Sequence, residues 1–228
     1  MNIIAFDTAS DVFAAGLSIN NTITKQKYYI VMDAGQKHSE LIMDAADTLL
    51  KIAGIAKSEL QAAACMEGPG SFTGLRIGFA AVKGLSFALG IPFIPVPTLD
   101  CMAHSFSFWP GIVLPIMDAK KNAFFTALYR QGKRFSAYLD IEIDDLIKII
   151  TKTCSKTPSL LITGPAADLV CKRLSDAFPD TVSNFSSKMG YAAELLNLAD
   201  KKSILSINQE QFAMGPEYIR KSDVEHGK

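Results

Sequence analysis

EGPGSFTGLRIG, residues 67–78, separates a short apolar run, AAACM at 62–66, from a segment of helical period that continues to Leu89 and stops at Gly90. A strand, a glycine-rich turn and a helix in that order predict an α/β unit, and IPFIPV at 91–96 supplies the next strand. Glycines at such a turn present backbone N–H groups and a helix dipole to an anion, or simply let helix and strand pack closely. The stretch lacks the Gly-Lys-Ser/Thr ending of a Walker loop, and Thr73 stands where a dinucleotide fingerprint needs its third glycine. Both readings stay open. Gly74, Gly78, Ala81, Gly84 and Ala88 then form one stripe of small residues along the helix. Such a stripe permits close approach by another helix, either inside the chain or on a partner protein.

Working outward, NIIAFD (2–7), VFAAGLSI (12–19) and TITKQKYYI (22–30) are β-prone runs, with Asn20-Asn21 as a two-residue hairpin turn. They predict a three-stranded antiparallel start. HSELIMDAADTLLKIAG changes period: Leu41, Ile42, Ala45, Ala46, Leu49, Leu50 and Ala53 recur at helical spacing, with Ser39 as N-cap and Gly54 as the stop. From Gly111 a second set begins. IVLPIMDA and AFFTALYR read as strands, followed by a helix near 144–152, strand SLLIT, helix AADLVCKRLSDAF, strand TVSNF and helix GYAAELLNLAD. The second half echoes the first, which predicts two α/β lobes, residues 1–108 and 109–228, facing each other across a cleft.

Lys plus Arg and Asp plus Glu both number 23, so there is no overall basic field with which to hold a phosphate backbone unaided. No basic stripe interleaved with aromatics is evident, and the isolated protein is expected to bind RNA weakly. The four cysteines (65, 101, 154 and 171) have no Cys-x-x-Cys spacing and no histidine partners, and read as buried free thiols. MNIIAFDTAS has no basic region ahead of an apolar stretch, and no run approaches the ~20 apolar residues of a membrane span. The expectation is a cytoplasmic protein with no membrane partner.

GPGSFTGLRIG at 68–78, followed by AAVKGLSFALGIP at 80–92, resembles the signature of the TsaB (YeaZ) family. IIAFDTAS (3–10), HSELIMDAADTLL (38–50), MDAKKNAFFTALY (117–129) and PEYIR (216–220) resemble further segments of that family, so the resemblance spans both halves. It implies a two-lobed, actin-like fold (ASKHA, ribonuclease H-like) with mixed sheets and flanking helices. In such a fold the loop Asp7–Ser10 and the segment Asp118–Asn122 face a nucleotide's phosphates, which makes Asp7, Thr8, Ser10 and Asp118 the candidate cofactor residues. Asp7 can hold a metal-nucleotide through water, or Asp7 and Thr8 can merely close a strand end. No cofactor beyond weak ATP or ADP binding is implied.

The related TsaD-type catalytic subunit carries two metal-ligand histidines, and the resemblance places Thr98 and Met102 at those positions here. His104 does not stand in for them, because two residues along a helix turn it about 200° from Met102. His38 and His226 read as solvent-facing or structural. The implied role is a non-catalytic subunit of the complex that transfers a threonylcarbamoyl group to N6 of adenosine 37 in tRNAs reading codons that begin with adenine. Its implied partners are a TsaD-like catalytic subunit and a TsaE-like ATPase, with tRNA met only through the complex and a homodimer when alone. The docking face falls on Leu41, Ala45, Leu49, Gly74, Gly78, Ala81 and Ala88. The alternatives are a free-standing ATP-dependent kinase or transferase that uses the cleft, and a binding module that only self-associates.

Overall fold

Alternation along the chain is resolved into strands first. β1 (Ile3–Asp7), β2 (Val12–Asn20) and β3 (Lys25–Asp33) form an antiparallel meander in which Ala5 faces Gly16 and Gly16 faces Tyr29. α1 (His38–Ala53), β4 (Ala62–Gly68), α2 (Phe72–Leu89), β5 (Phe93–Pro97) and the short α3 (Thr98–His104) follow. β4 returns parallel to β1 and β5 parallel to β4, giving a five-stranded sheet of order β3-β2-β1-β4-β5. This is the mixed sheet expected of a ribonuclease H-like unit. The computed structural model describes residues 1–20, 25–35, 37–153, 159–186, 190–202 and 214–219. The Asn20-Asn21 turn, Cys154 and His226 therefore lie partly or wholly outside the described residues.

The second set is more broken than its sequence suggests. IVLPIMDA divides into β6 (Ile112–Pro115) and β7 (Met117–Asp118), and AFFTALYR into β8 (Ala123–Thr126) and β9 (Tyr129–Arg130). β10 (Lys133–Arg134), β11 (Leu139–Glu142), α4 (Ile143–Thr153), β12 (Leu160–Thr163), α5 (Ala167–Ala177), β13 (Val182–Phe185) and α6 (Ala192–Lys202) follow among the described residues. One sheet runs β10-β9-β6-β12-β13 and a separate one runs β11-β8-β7. Each continuous apolar run thus serves two sheets, which period-2 patterning cannot reveal because the alternation is the same in both.

Two compact units result: Met1–Cys101 with Met189–Glu217, and Met102–Lys188 with Tyr218–Lys228. The expected division at 108/109 gives all of 109–228 to the second lobe, whereas α6 packs on β1, β2, β4 and β5 of the first unit. The period of a helix tells which of its faces is apolar but not which sheet receives that face.

In the first unit, one sheet face (Ile4, Phe6, Phe13, Leu17, Ala63, Phe93) is covered by α1 through Ile42, Ala46 and Leu49 and by α2 through Phe79 and Val82. The other face receives α6: a side chain at Gly16 would meet Leu196 Cδ1 at 2.8 Å. The second unit has its own core, built from Ile112, Leu114, Leu160 and Ile162 under Leu146, Ile150, Val170 and Leu174. α1 begins at His38 with Lys37 as its cap rather than Ser39, and ends at Gly54 in the left-handed region (φ 70°). α2 is capped by Ser71, whose side chain accepts from Gly74 N–H. By length and composition α2 is apolar enough to cross a membrane, which the sequence reading did not anticipate, but its Leu75, Phe79 and Val82 are core residues.

The stripe of small residues is divided between two environments. A Cβ on Gly74 would lie 2.0 Å from Thr8 O, whereas Gly84 has nothing within 4 Å. Gly74→Ala should therefore lower unfolding free energy by about 1–3 kcal/mol through overpacking, and Gly84→Ala should raise it by about 0.5–1 kcal/mol. Urea unfolding of the two variants checks the opposite signs.

Candidate functional site at the end of the first strand

The loop that follows β1 ties three helices together. Asp7 is buried (1% exposed), and its carboxylate accepts two backbone N–H groups, Ala9 N at 3.0 Å and Tyr191 N at 2.9 Å. Tyr191 immediately precedes α6, and its carbonyl accepts from Leu195 N. The Asp7 carboxylate therefore meets the positive end of the α6 dipole and occupies one of its orphan donors. The Thr8 hydroxyl donates to Gly74 O at 2.8 Å in the first turn of α2, and Ala9 O accepts Ser71 N at 2.7 Å. Ser10 is half-buried, its Oγ accepts Val12 N at 3.3 Å, and its carbonyl lies 2.9 Å from His38 Nε2 at the head of α1. His38 is buried rather than solvent-facing.

Glycine is required where these backbones cross. A Cβ on Gly70 would meet Ala9 O at 2.6 Å, and one on Gly78 would meet Thr8 Oγ1 at 2.5 Å. The 67–78 motif is thus a surface for receiving the Asp7–Ser10 loop, and the packing reading of its glycines accounts for Gly70, Gly74 and Gly78. At Gly68 (φ +124°) the backbone of Glu217 crosses, and Glu217 N donates to Glu67 O at 2.8 Å. Burial pushes Glu67 above the ordinary carboxylate range, opposed by Lys202 and reinforced by Glu217 and Asp100.

Burial also raises the Asp7 carboxyl, against the pull of the Tyr191 and Ala9 N–H groups and of His38. Asp118 lies in the second unit and is exposed. Its Oδ2 pairs with Lys120 Nζ at 2.7 Å and its Oδ1 accepts Lys120 N at 2.7 Å, which holds its carboxyl below the ordinary range. Lys120, Lys121 and Asn122 continue in the left-handed region. Asp7, Thr8 and Ser10 are thus brought together in the first unit, with the first two enclosed by the fold.

The predicted docking residues are divided in the same way. Ala45, Leu49, Gly74 and Gly78 are buried, Leu41 and Ala81 pack on the core, and Ala88 is exposed. A shared period places residues on one stripe of a helix, but the sheet takes that stripe first. The exposed apolar side chains on these helices are instead Met43 and Ile52 of α1 and Phe72 and Phe87 of α2, with Phe87 82% exposed. Arg76 stacks on Phe72, its guanidinium carbon 3.7 Å from the ring centroid. An uninterrupted apolar period hides such residues, because the helix is apolar on more than one face.

Thr98 and Met102 are both buried, and the Thr98 hydroxyl has no hydrogen-bond partner among the described residues. No group of three or more His, Cys, Asp or Glu is disposed to hold a metal among the described residues. Cys65 and Cys101 are buried free thiols, pushed well above the usual value by that burial.

The model of the family described as TsaD, tRNA N6-adenosine threonylcarbamoyltransferase, matches residues 19–212. The tRNA threonylcarbamoyladenosine biosynthesis protein TsaB of Bacillus subtilis (strain 168) is 32% identical over 130 residues, covering 57% of this chain. The match spans little more than half of that relative's own length (56%). Among solved structures, a Pseudomonas aeruginosa protein described as similar to peptidase YEAZ superposes with a TM-score of 0.78 at 23% identity, covering 96% of this chain and 99% of the other. YeaZ from Pseudomonas aeruginosa superposes with a TM-score of 0.70 at 23% identity over 88% and 91% of the two chains. These two structures have the same fold as this chain.

Asp7→Ala strands two buried N–H groups and should cost about 1–3 kcal/mol for each, read as a lower urea midpoint. The pH dependence has a defined sign. An acid whose folded value is raised stabilises fully below its ordinary value of 3.8, and that contribution is lost as pH rises through the folded value. The stability of wild type relative to Asp7→Asn should therefore decline as pH rises through that window, which urea midpoints at a series of pH values will show.

Proposed function

The chain belongs to the TsaD, tRNA N6-adenosine threonylcarbamoyltransferase, family and within it to the TsaB (YeaZ) group, and from that premise we propose that it is a non-catalytic subunit in the synthesis of threonylcarbamoyladenosine in tRNA. It docks on a TsaD-like catalytic subunit, which transfers the threonylcarbamoyl group to N6 of adenosine 37 in tRNAs reading codons that begin with adenine. A TsaE-like ATPase joins the same complex in the cytoplasm, and the free chain pairs with a second copy of itself. One observation carries the docking reading: α1 and α2 pack side by side on the sheet, and Phe87 of α2 stands 82% exposed, with Met43, Ile52 and Phe72 also open to water. Large aromatic side chains left in water by a monomer are what a partner's pocket desolvates.

The accessory role is supported by the state of Asp7. Both of its carboxylate oxygens accept backbone N–H groups inside the unit, and the side chain is enclosed, which leaves little to offer a hydrated metal-nucleotide. This weighs against the kinase alternative, and weak ATP or ADP binding is the most the loop supplies.

Phe87→Asp should keep the melting temperature of the wild type, because the side chain is exposed, while lowering capture of the TsaD-like partner at least about 30-fold, as for a hot-spot aromatic. A pull-down alongside a thermal melt checks both. Undiminished capture by this variant would place the docking face elsewhere.

A further inference from the structure

The sequence expectation that no basic stripe is interleaved with aromatics fails in one place. From residue 119 to 139 the chain carries Lys120, Lys121, Arg130, Lys133 and Arg134 and not one acidic residue, although the whole protein balances to zero. The last three cations lie on the hairpin formed by β9 and β10. Its two-residue turn, Gln131-Gly132, has both residues in the left-handed region (φ 50° and 72°), as a tight type I′ connection requires. A Cβ on Gly132 would meet Ser107 Cβ at 2.9 Å, so the turn is packed against the body of the second unit.

The hairpin presents its cations in a defined way. Arg130, Lys133 and Arg134 are exposed, and Lys133 stands directly opposite Arg130 in the ladder. Like charges in that position destabilise a strand pair unless an anion lies between them. The Arg130 guanidinium sits over the Phe135 ring at 5.3 Å, and that of Arg134 over the Tyr138 ring at 4.0 Å. Arg134 also donates to Ser136 O at 2.7 Å. Two arginines ordered on aromatic faces, a lysine between them and Phe135 itself partly open (43%) are what a flexible polyanion with stackable bases recognises.

We infer that the β9–β10 hairpin is a contact for RNA, in which Arg130, Lys133 and Arg134 neutralise backbone phosphates and Phe135 offers a stacking face. The choice of RNA over other polyanions rests on the proposed role in tRNA modification. Three cations supply a weak, steeply salt-dependent hold, so the contact assists a complex rather than capturing tRNA alone.

The test is the binding of unmodified tRNA to the full chain, followed by fluorescence anisotropy across a salt series, for wild type and for Arg130→Gln/Lys133→Gln/Arg134→Gln. The triple variant should melt like wild type and bind at least about tenfold more weakly at about 50 mM salt. Its slope of log affinity against log salt should be shallower by about 2–3. Arg130→Lys/Arg134→Lys should keep the wild-type slope. Equal affinity and slope for wild type and triple variant would overturn the inference. So would unchanged RNA binding with new self-association, since β10 is an edge strand and its cations would then serve only to keep sheet edges apart. Loss of binding to phosphatidylglycerol vesicles with RNA binding intact would overturn it as well. Capture of the TsaD-like partner is measured on the same samples. Failed capture by wild type with the expected RNA slopes would defeat the proposed function and leave the hairpin assignment standing.

Discussion

Asp7 joins the end of the first strand to the start of the last described helix, 184 residues away, through a 2.9 Å bond from Tyr191 N to its carboxylate. A charged acceptor buried at a helix N-terminus is stable only while its donors are present, and those donors are left unpaired without it. The rest of the first unit is arranged around this constraint. Thr8 and Ala9 hold the first turn of α2, Ser10 receives His38 from α1, and Gly70, Gly74 and Gly78 leave room for the loop to pass. Three helix starts converge on four consecutive residues.

That convergence explains why a loop suggestive of phosphate binding is occupied by its own chain. The N–H groups and small residues that could cradle an anion meet Thr8 and Ala9 instead. Exposure of large apolar side chains on the two helices is greatest at Phe87 of α2, 82% open to water, while Gly74 and Gly78 of the same helix are enclosed.

Charge is distributed by the same logic of local segregation within global balance. Acidic and basic residues are equal in number, yet a stretch of 21 residues in the second unit holds five cations and no acid. A net-charge argument averages this away, because Coulomb attraction to a phosphate depends on charges within about a Debye length, ~8–10 Å, and not on the total. The β9–β10 turn makes the segregation physical by fixing Arg130 opposite Lys133.

Sequence alone determined the features that depend on local chemistry. The antiparallel start, α1 ending at Gly54, α2 ended by Gly90, and the α/β class with its TsaB (YeaZ) signature were all legible, since period and stop residues act within a few positions. Tertiary structure decided what depends on contacts between distant segments. It assigned α6 to the first unit, divided AFFTALYR between two sheets, turned Ala45, Leu49 and Gly78 inward and left Phe87 in water. It also made Asp7 a clasp, because a carboxylate's role is set by the donors that reach it, and Tyr191 is brought to it only by folding.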